Sequence, residues 1–194
     1  MTYHIVKYTG CFGFIKPWTA VRDSETFSQQ FLTPSIIEGI EKKLFPEFLE
    51  QSGLINTIKS YRLSYEQISA QQEQIQTRGW NSKRQSGTKN ILFDRPTAIL
   101  LRGILLNPVL YLAFENKEYA ERALTQHICL CRNEDILFPE ELISIEKGVF
   151  DTDEERFAGF ELVFEKTDKS FLVGYNRFNN NQPMYGWLKT VGNP

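Results

Sequence analysis

ILFDRPTAILLRGILLNPVLYLAFE, residues 91–115, is strongly apolar and decides the fold class. As a single helix it would carry Pro96 and Pro108 in its interior, where each removes a backbone donor and clashes with the preceding turn. It therefore reads as one or two strands, with VLYLAFE (109–115) the clearest. On its N-terminal side, residues 69–90 (SAQQEQIQTRGWNSKRQSGTKN) are polar, carry glycines at 79 and 87, and lack core periodicity. A long structureless loop of this kind in a compact domain is functional or disordered.

Further upstream, 54–68 (LINTIKSYRLSYEQI) reads as a strand with imperfect alternation, and 2–9 (TYHIVKYT) as a first strand with Tyr3 and Ile5 facing a core. Between them, Gly10 and Gly13 flank an aromatic turn, and Lys16, Pro17 and Trp18 open an irregular segment to about Phe27. Thr33-Pro34-Ser35 then starts a helix, with Pro at its first position. Ile36, Ile37, Ile40, Leu44 and Phe45 carry its apolar stripe over 35–45, and Pro46 disrupts or restarts it. Downstream, KEYAERALTQH (117–127) is helical, ICLCRN is a short segment and Pro139 marks a turn. LISIEKGVF (142–150), FAGFELVFEK (157–166) and SFLVGYNRF (170–178) read as strands, and the turn-rich tail 179–194 as loosely ordered. The order is β, α, β, a polar insertion, β, α, then several strands. That is an α+β chain resembling a split βαβ or ferredoxin-like module with a strand-rich extension.

The 194 residues fit a single domain, 1–194, with 69–90 as an insertion. A 41% hydrophobic and 13% aromatic composition supplies a core and argues against general disorder. No apolar run reaches membrane-span length, and MTYHIVKYTG reads as neither a signal nor a transit peptide. With only Cys11, Cys129 and Cys131, the expected setting is a reducing cytoplasm.

The net charge of −2 argues against a bulk nucleic-acid binder, but the average hides a distribution. Residues 59–102 hold eight basic and three acidic side chains, whereas 115–170 hold seven basic and fifteen acidic. The first segment is a candidate anion or nucleic-acid surface.

His127, Cys129 and Cys131 could supply three metal ligands. On a strand they share a face where buried cysteines are common, and no second CxxC or HxH completes a set, so no metal is expected. There is no GxSxG, GxxxxGK[ST] or GxGxxG, and the acidic clusters Glu140-Glu141 and 151–155 read as solvated turns. Nucleic-acid binding remains. Arg78, Lys83, Arg84 and Lys89 surround Trp80, pairing phosphate contacts with an indole on which a base can stack. Thr33 and Ser35 suit either a plain helix cap or a phosphate at a helix N-terminus.

Gly10-Cys11-Phe12-Gly13-Phe14 with Pro17, then Glu25 to Leu32, Thr33-Pro34-Ser35 and Glu38-Gly39-Ile40, resembles the start of the CRISPR-associated Cas-five family of the RAMP superfamily. Arg95 to Phe114 looks like that family's later apolar strand. Cys131-Arg132-Asn133, Phe138-Pro139 and Ile145-Glu146-Lys147 resemble its following segment in degraded form. The similarity covers roughly residues 3–150. It implies a ferredoxin-like (RRM-like) RAMP domain with an inserted β-hairpin thumb. It also implies a subunit of a Cascade-like surveillance complex that holds the crRNA 5′ handle. Such a subunit abuts a Cas-seven-type backbone subunit and the large subunit, meets target DNA only indirectly, and touches no membrane.

The RNA contacts expected on this reading are Lys16, Arg22, Thr33, Ser35, Arg62, Arg78, Trp80, Lys83, Arg84, Lys89 and Arg95. No cofactor is implied. One branch of the family cuts precursor crRNA with a Tyr and a Lys/His pair. Those positions align with Phe45 and Tyr111-Leu112-Ala113, and neither Phe45 nor Leu112 can do acid–base work. The expectation is a non-enzyme, with His4 and His127 structural. Two alternatives remain: an endoribonuclease of that branch, and an unrelated α+β interaction module whose acidic 115–170 segment binds a basic partner.

Overall fold

The computed structural model describes residues 1–17, 24–176 and 179–193. Strand β1 (Thr2–Thr9) is apolar on both sides: Val6 and Tyr8 point one way, Tyr3 and Ile5 the other, and all four are buried. A strand of this pattern belongs inside a sheet covered on both faces. Two short strands follow, β2 (Phe12–Gly13) and β3 (Glu25–Phe27). Helix α1 (Pro34–Leu44) comes next, then a single 3-10 turn at Pro46–Phe48 and β4 (Ile58–Ser64).

The apolar 91–115 stretch becomes three strands, broken at its two prolines: β7 (Ile91–Asp94), β8 (Thr97–Leu106) and β9 (Val109–Phe114). The polar 69–90 segment is not structureless. Strand β5 (Gln67–Gln76) pairs antiparallel with β8 from Gln67–Leu106 to Gln76–Thr97, and β6 (Asn81–Arg84) pairs with β7. A helix α2 (Lys117–Leu124) leads to β10 (Ile128–Cys129) and β11 (Ile136–Glu146). Helix α3 (Lys147–Thr152) precedes β12 (Gly159–Val163), β13 (Phe171–Asn176) and β14 (Gln182–Val191).

Eight strands form the main sheet in the order β10-β11-β1-β9-β4-β12-β14-β13. Its centre, β11-β1-β9-β4, is antiparallel throughout. Helix α1 links β1 to β4 and α2 links β9 to β11, so two βαβ units interleave. Both helices pack on the same face. Ile37, Ile40 and Leu44 of α1, Ala120 and Ala123 of α2, and Phe45 share one core with Val6, Tyr8, Leu63, Leu110, Leu112 and Phe114. The opposite face carries a smaller core in which Phe150 and Phe157 cover Tyr3, Ile5, Tyr111 and Ala113.

Three expectations change. Pro139 lies inside β11 rather than at a turn, beside an irregularity in the β1 pairing near Lys7 and Tyr8. Residues 147–150 are helical instead of extended. The 179–194 tail supplies β14, held between β12 and β13. Its Gly186 signals close approach, not looseness, because a Cβ there would lie 2.8 Å from the Val163 carbonyl oxygen.

The entry to β4 is pinned by α1. The buried Glu41 carboxylate accepts from the backbone N–H of Asn56 (2.8 Å), Thr57 (2.6 Å) and Ile58 (3.1 Å) and from the Thr57 hydroxyl (2.7 Å). Burial alone would push this carboxyl up. The converging donors outweigh it and hold Glu41 below the usual carboxylate range. One turn earlier, Glu38 accepts from the Gly53 N–H and from Lys42.

Candidate nucleic-acid interface

Strands β5 and β8 leave the main sheet as a hairpin arm of ten residues per strand. At about 3.3 Å per residue it reaches some 33 Å. At its base, β2 and β3 pair with the outer edge of β8. Gly103 leaves room for the Phe27 ring, which a side chain at that position would meet. One face of the arm rests on the body. Glu73 accepts from Arg102 (3.1 Å) and stands 3.9 Å from Arg132, while both guanidinium groups approach the Phe14 ring (5.8 and 5.2 Å). The other face exposes Ile99, Leu101 and Phe27.

The β6–β7 ribbon forms the tip of the arm, and all eight of its residues are exposed. Residues 76–95 contain five basic side chains and one acidic one. Arg78, Lys83, Arg84 and Lys89 are exposed, and among the described residues none has a carboxylate within 4.0 Å. Trp80 is 64% exposed, with the Arg95 guanidinium 5.8 Å from its ring centre. Arg95 is fixed by donating from Nε to the Thr77 carbonyl (2.6 Å). An indole held open beside unneutralised cations can stack a base while the cations take the flanking phosphates. Gly87 supplies the positive φ (78°) of the turn joining β6 to β7.

The tip thus gathers six of the expected residues: Arg78, Trp80, Lys83, Arg84, Lys89 and Arg95. Lys16, Thr33 and Ser35 lie on the body instead. Lys16 is exposed beyond Ile15, whose backbone is tied to Ser28 and Gln29. The hydroxyls of Thr33 and Ser35 bond each other at 3.0 Å, and Thr33 makes no side-chain cap to α1. Arg22 and Trp18 lie outside the described residues.

Arg62 is a correction. Its side chain has no solvent exposure and points into the smaller core. There it donates to Glu161 and to the Tyr61 carbonyl (3.0 Å), stands 3.6 Å from Asp151, and lies 4.7 Å from the Phe150 ring. This arginine ties β4 to β12 and α3 and is not presented to a ligand.

Sequence reasoning missed Ile91, Leu92 and Phe93, which are exposed at the tip, Phe93 by 67%. The signal was an apolar triplet isolated between the polar insertion and Pro96.

The cysteine reading also shifts. Cys11 and Cys131 are exposed and Cys129 is half-buried, so none is a core cysteine. Lys43 Nζ lies 3.9 Å from Cys129 Sγ. Among the described residues, no three His, Cys, Asp or Glu side chains are grouped to hold a metal ion. His4 bonds Ser144 (2.8 Å) and His127 is exposed, 6.3 Å from the Phe138 ring centre. Phe45 and Leu112 are fully buried in the larger core. No described helix is long and apolar enough to cross a membrane.

No family model matches the chain, and no curated protein matches it.

Proposed function

We propose that the chain is a non-catalytic, RNA-binding subunit of a CRISPR crRNA-guided surveillance complex. Its arm tip holds the crRNA 5′ handle, and its body caps a Cas-seven-type backbone next to the large subunit. The observation that carries this reading is the tip itself: four cations without an ion-pair partner among the described residues share it with an exposed indole, presented about 33 Å along the arm. The order of the central strands supports it. Numbered along the chain, they lie fourth-first-third-second with both helices on one face, as expected of a ferredoxin-like RAMP domain. The arm leaves between the second and third of those strands, where the resemblance puts a thumb. The sequence motifs of the Cas-five resemblance supply the CRISPR assignment.

The test is co-purification. Expressed with a repeat array and the backbone and large subunits, the chain should carry a short RNA of uniform length. Substituting Arg78, Lys83 and Arg84 by Ala should remove that RNA while the chain stays folded. A preparation that is RNA-free in the unsubstituted protein, or equally loaded in the variant, overturns the proposal.

A further inference from the structure

The second face of the main sheet is covered over only part of its length. Phe150 and Phe157 close it above Tyr3, Ile5, Tyr111 and Ala113. Toward the arm the same face is bare. There Thr9, Val109, Ile136 and Phe138, from three adjacent strands, join Cys11 and Phe12 around an open cleft of about 580 Å³. Phe138 is 59% exposed at its edge. Aromatic side chains left bare beside a concave apolar floor mark a binding surface.

The rim of the cleft is acidic. Glu134 lines it directly. Glu66 accepts from the lining Asn107, Glu140 accepts from the lining Thr9 (2.6 Å), and Glu141 is exposed one residue further along β11. The neighbouring cations are already engaged: Lys7 with Glu140 (2.7 Å), and Arg132 with Asp135 (2.7 Å), Glu134 (3.4 Å) and Glu73. Six carboxylates (Glu66, Glu73, Glu134, Asp135, Glu140 and Glu141) stand against three cations (Lys7, Arg102 and Arg132) around the cleft, an excess that disfavours a phosphate there.

We propose that this cleft docks an extended segment of a partner protein, one carrying a large apolar side chain flanked by lysine or arginine. The apolar floor takes the side chain. Glu66 and Glu141, which have no ion-pair partner among the described residues, select the basic flanks together with Glu134, which shares Arg132 with Asp135 and Glu73, and Glu140, which is paired with Lys7. The assignment stands whether or not the tip binds RNA.

A fluorescein-labelled peptide amide, Lys-Arg-Leu-Phe-Lys-Arg, titrated with the full chain and read by anisotropy, tests it. Saturable binding is expected. Phe138→Ser and, separately, Glu134→Lys should each weaken it about tenfold, the loss of one central contact. Both positions are exposed, and unchanged thermal midpoints confirm folding. A peptide with Glu for Lys and Arg, or with Ser for Leu and Phe, should not bind. Lys83→Ala with Arg84→Ala should leave the peptide affinity intact while weakening RNA binding and lowering its salt slope, which separates this site from the tip. Any of these results would overturn the proposal: no saturable binding, equal binding of the charge-reversed peptide, or wild-type affinity in both cleft variants. Binding of the Leu-Phe core alone at full affinity would also sink it, since the site would then take a small apolar ligand.

Discussion

Arg62 and Arg84 are the same residue type in the same basic segment, yet only one is free to meet a ligand. Arg62 lies on a strand within the eight-stranded sheet, opposite Glu161, a carboxylate 99 residues away in sequence. Segment charge cannot reveal such a partner. Removing Arg62 leaves the largely buried Glu161 without a cation, whereas Asp151 keeps Lys189 at 3.4 Å. Arg62→Met should therefore destabilise the fold by about 3–5 kcal/mol in urea titrations. RNA affinity, measured under native conditions, should not change. A weakened RNA affinity in a fully stable variant would return Arg62 to the interface. Glu41 is equally hidden in sequence, because its donors come from backbone N–H groups. Its folded-state carboxyl titrates below its unfolded value, so the native state binds the proton less tightly. Its contribution is complete above the unfolded value of about 4.3 and is lost as pH falls through the folded value. Acid titration of stability should accordingly be shallower in Glu41→Gln than in the wild type. Parallel curves would contradict this.

At the scale of elements, Pro96 and Pro108 in the 91–115 stretch mark the boundaries between β7, β8 and β9. The strand character of that stretch was legible from an apolar run broken by two prolines, the first strand from its β-forming residues, and helix α1 from an apolar stripe at helical spacing. Strand β5 was not. Its residues are exposed or half-buried on both faces, so there is no alternation to read. Strand β14 was masked by the Asn run at 179–181 before it and by its own Pro183 and Gly186, residues typical of turns, although Gly186 serves packing. The tip adds nothing to the body, since β6 and β7 pair with each other alone. Replacing residues 80–94 by Asn-Gly should leave the thermal midpoint within about 2 °C, as expected for removing surface contacts. The shortened chain should have no RNA affinity. A loss of fold would show that the tip packs on the body in solution.

Across the whole molecule, the net charge of −2 is a cancellation between separated surfaces. The basic segment 59–102 contributes less to the surface than its count indicates: Arg62 is buried and Arg102 is paired with Glu73. What remains unneutralised is concentrated at the end of the arm, and the carboxylates of 134–141 stand beside a bare apolar cleft on the sheet. That division was visible as a charge map, but the cleft was not, because β1, β9 and β11 build it from distant segments. Incubation of the purified chain with repeat RNA should leave the RNA intact, and clean cleavage lost in His4→Ala or His127→Ala would replace the non-catalytic reading. The most direct test of RNA binding at the tip is the salt dependence of affinity for single-stranded repeat RNA. Each phosphate contact contributes about 0.7 to the slope of log affinity against log salt, so Arg78→Ala, Lys83→Ala and Arg84→Ala together should lower the slope by about 2. An unchanged affinity and an unchanged slope would contradict it.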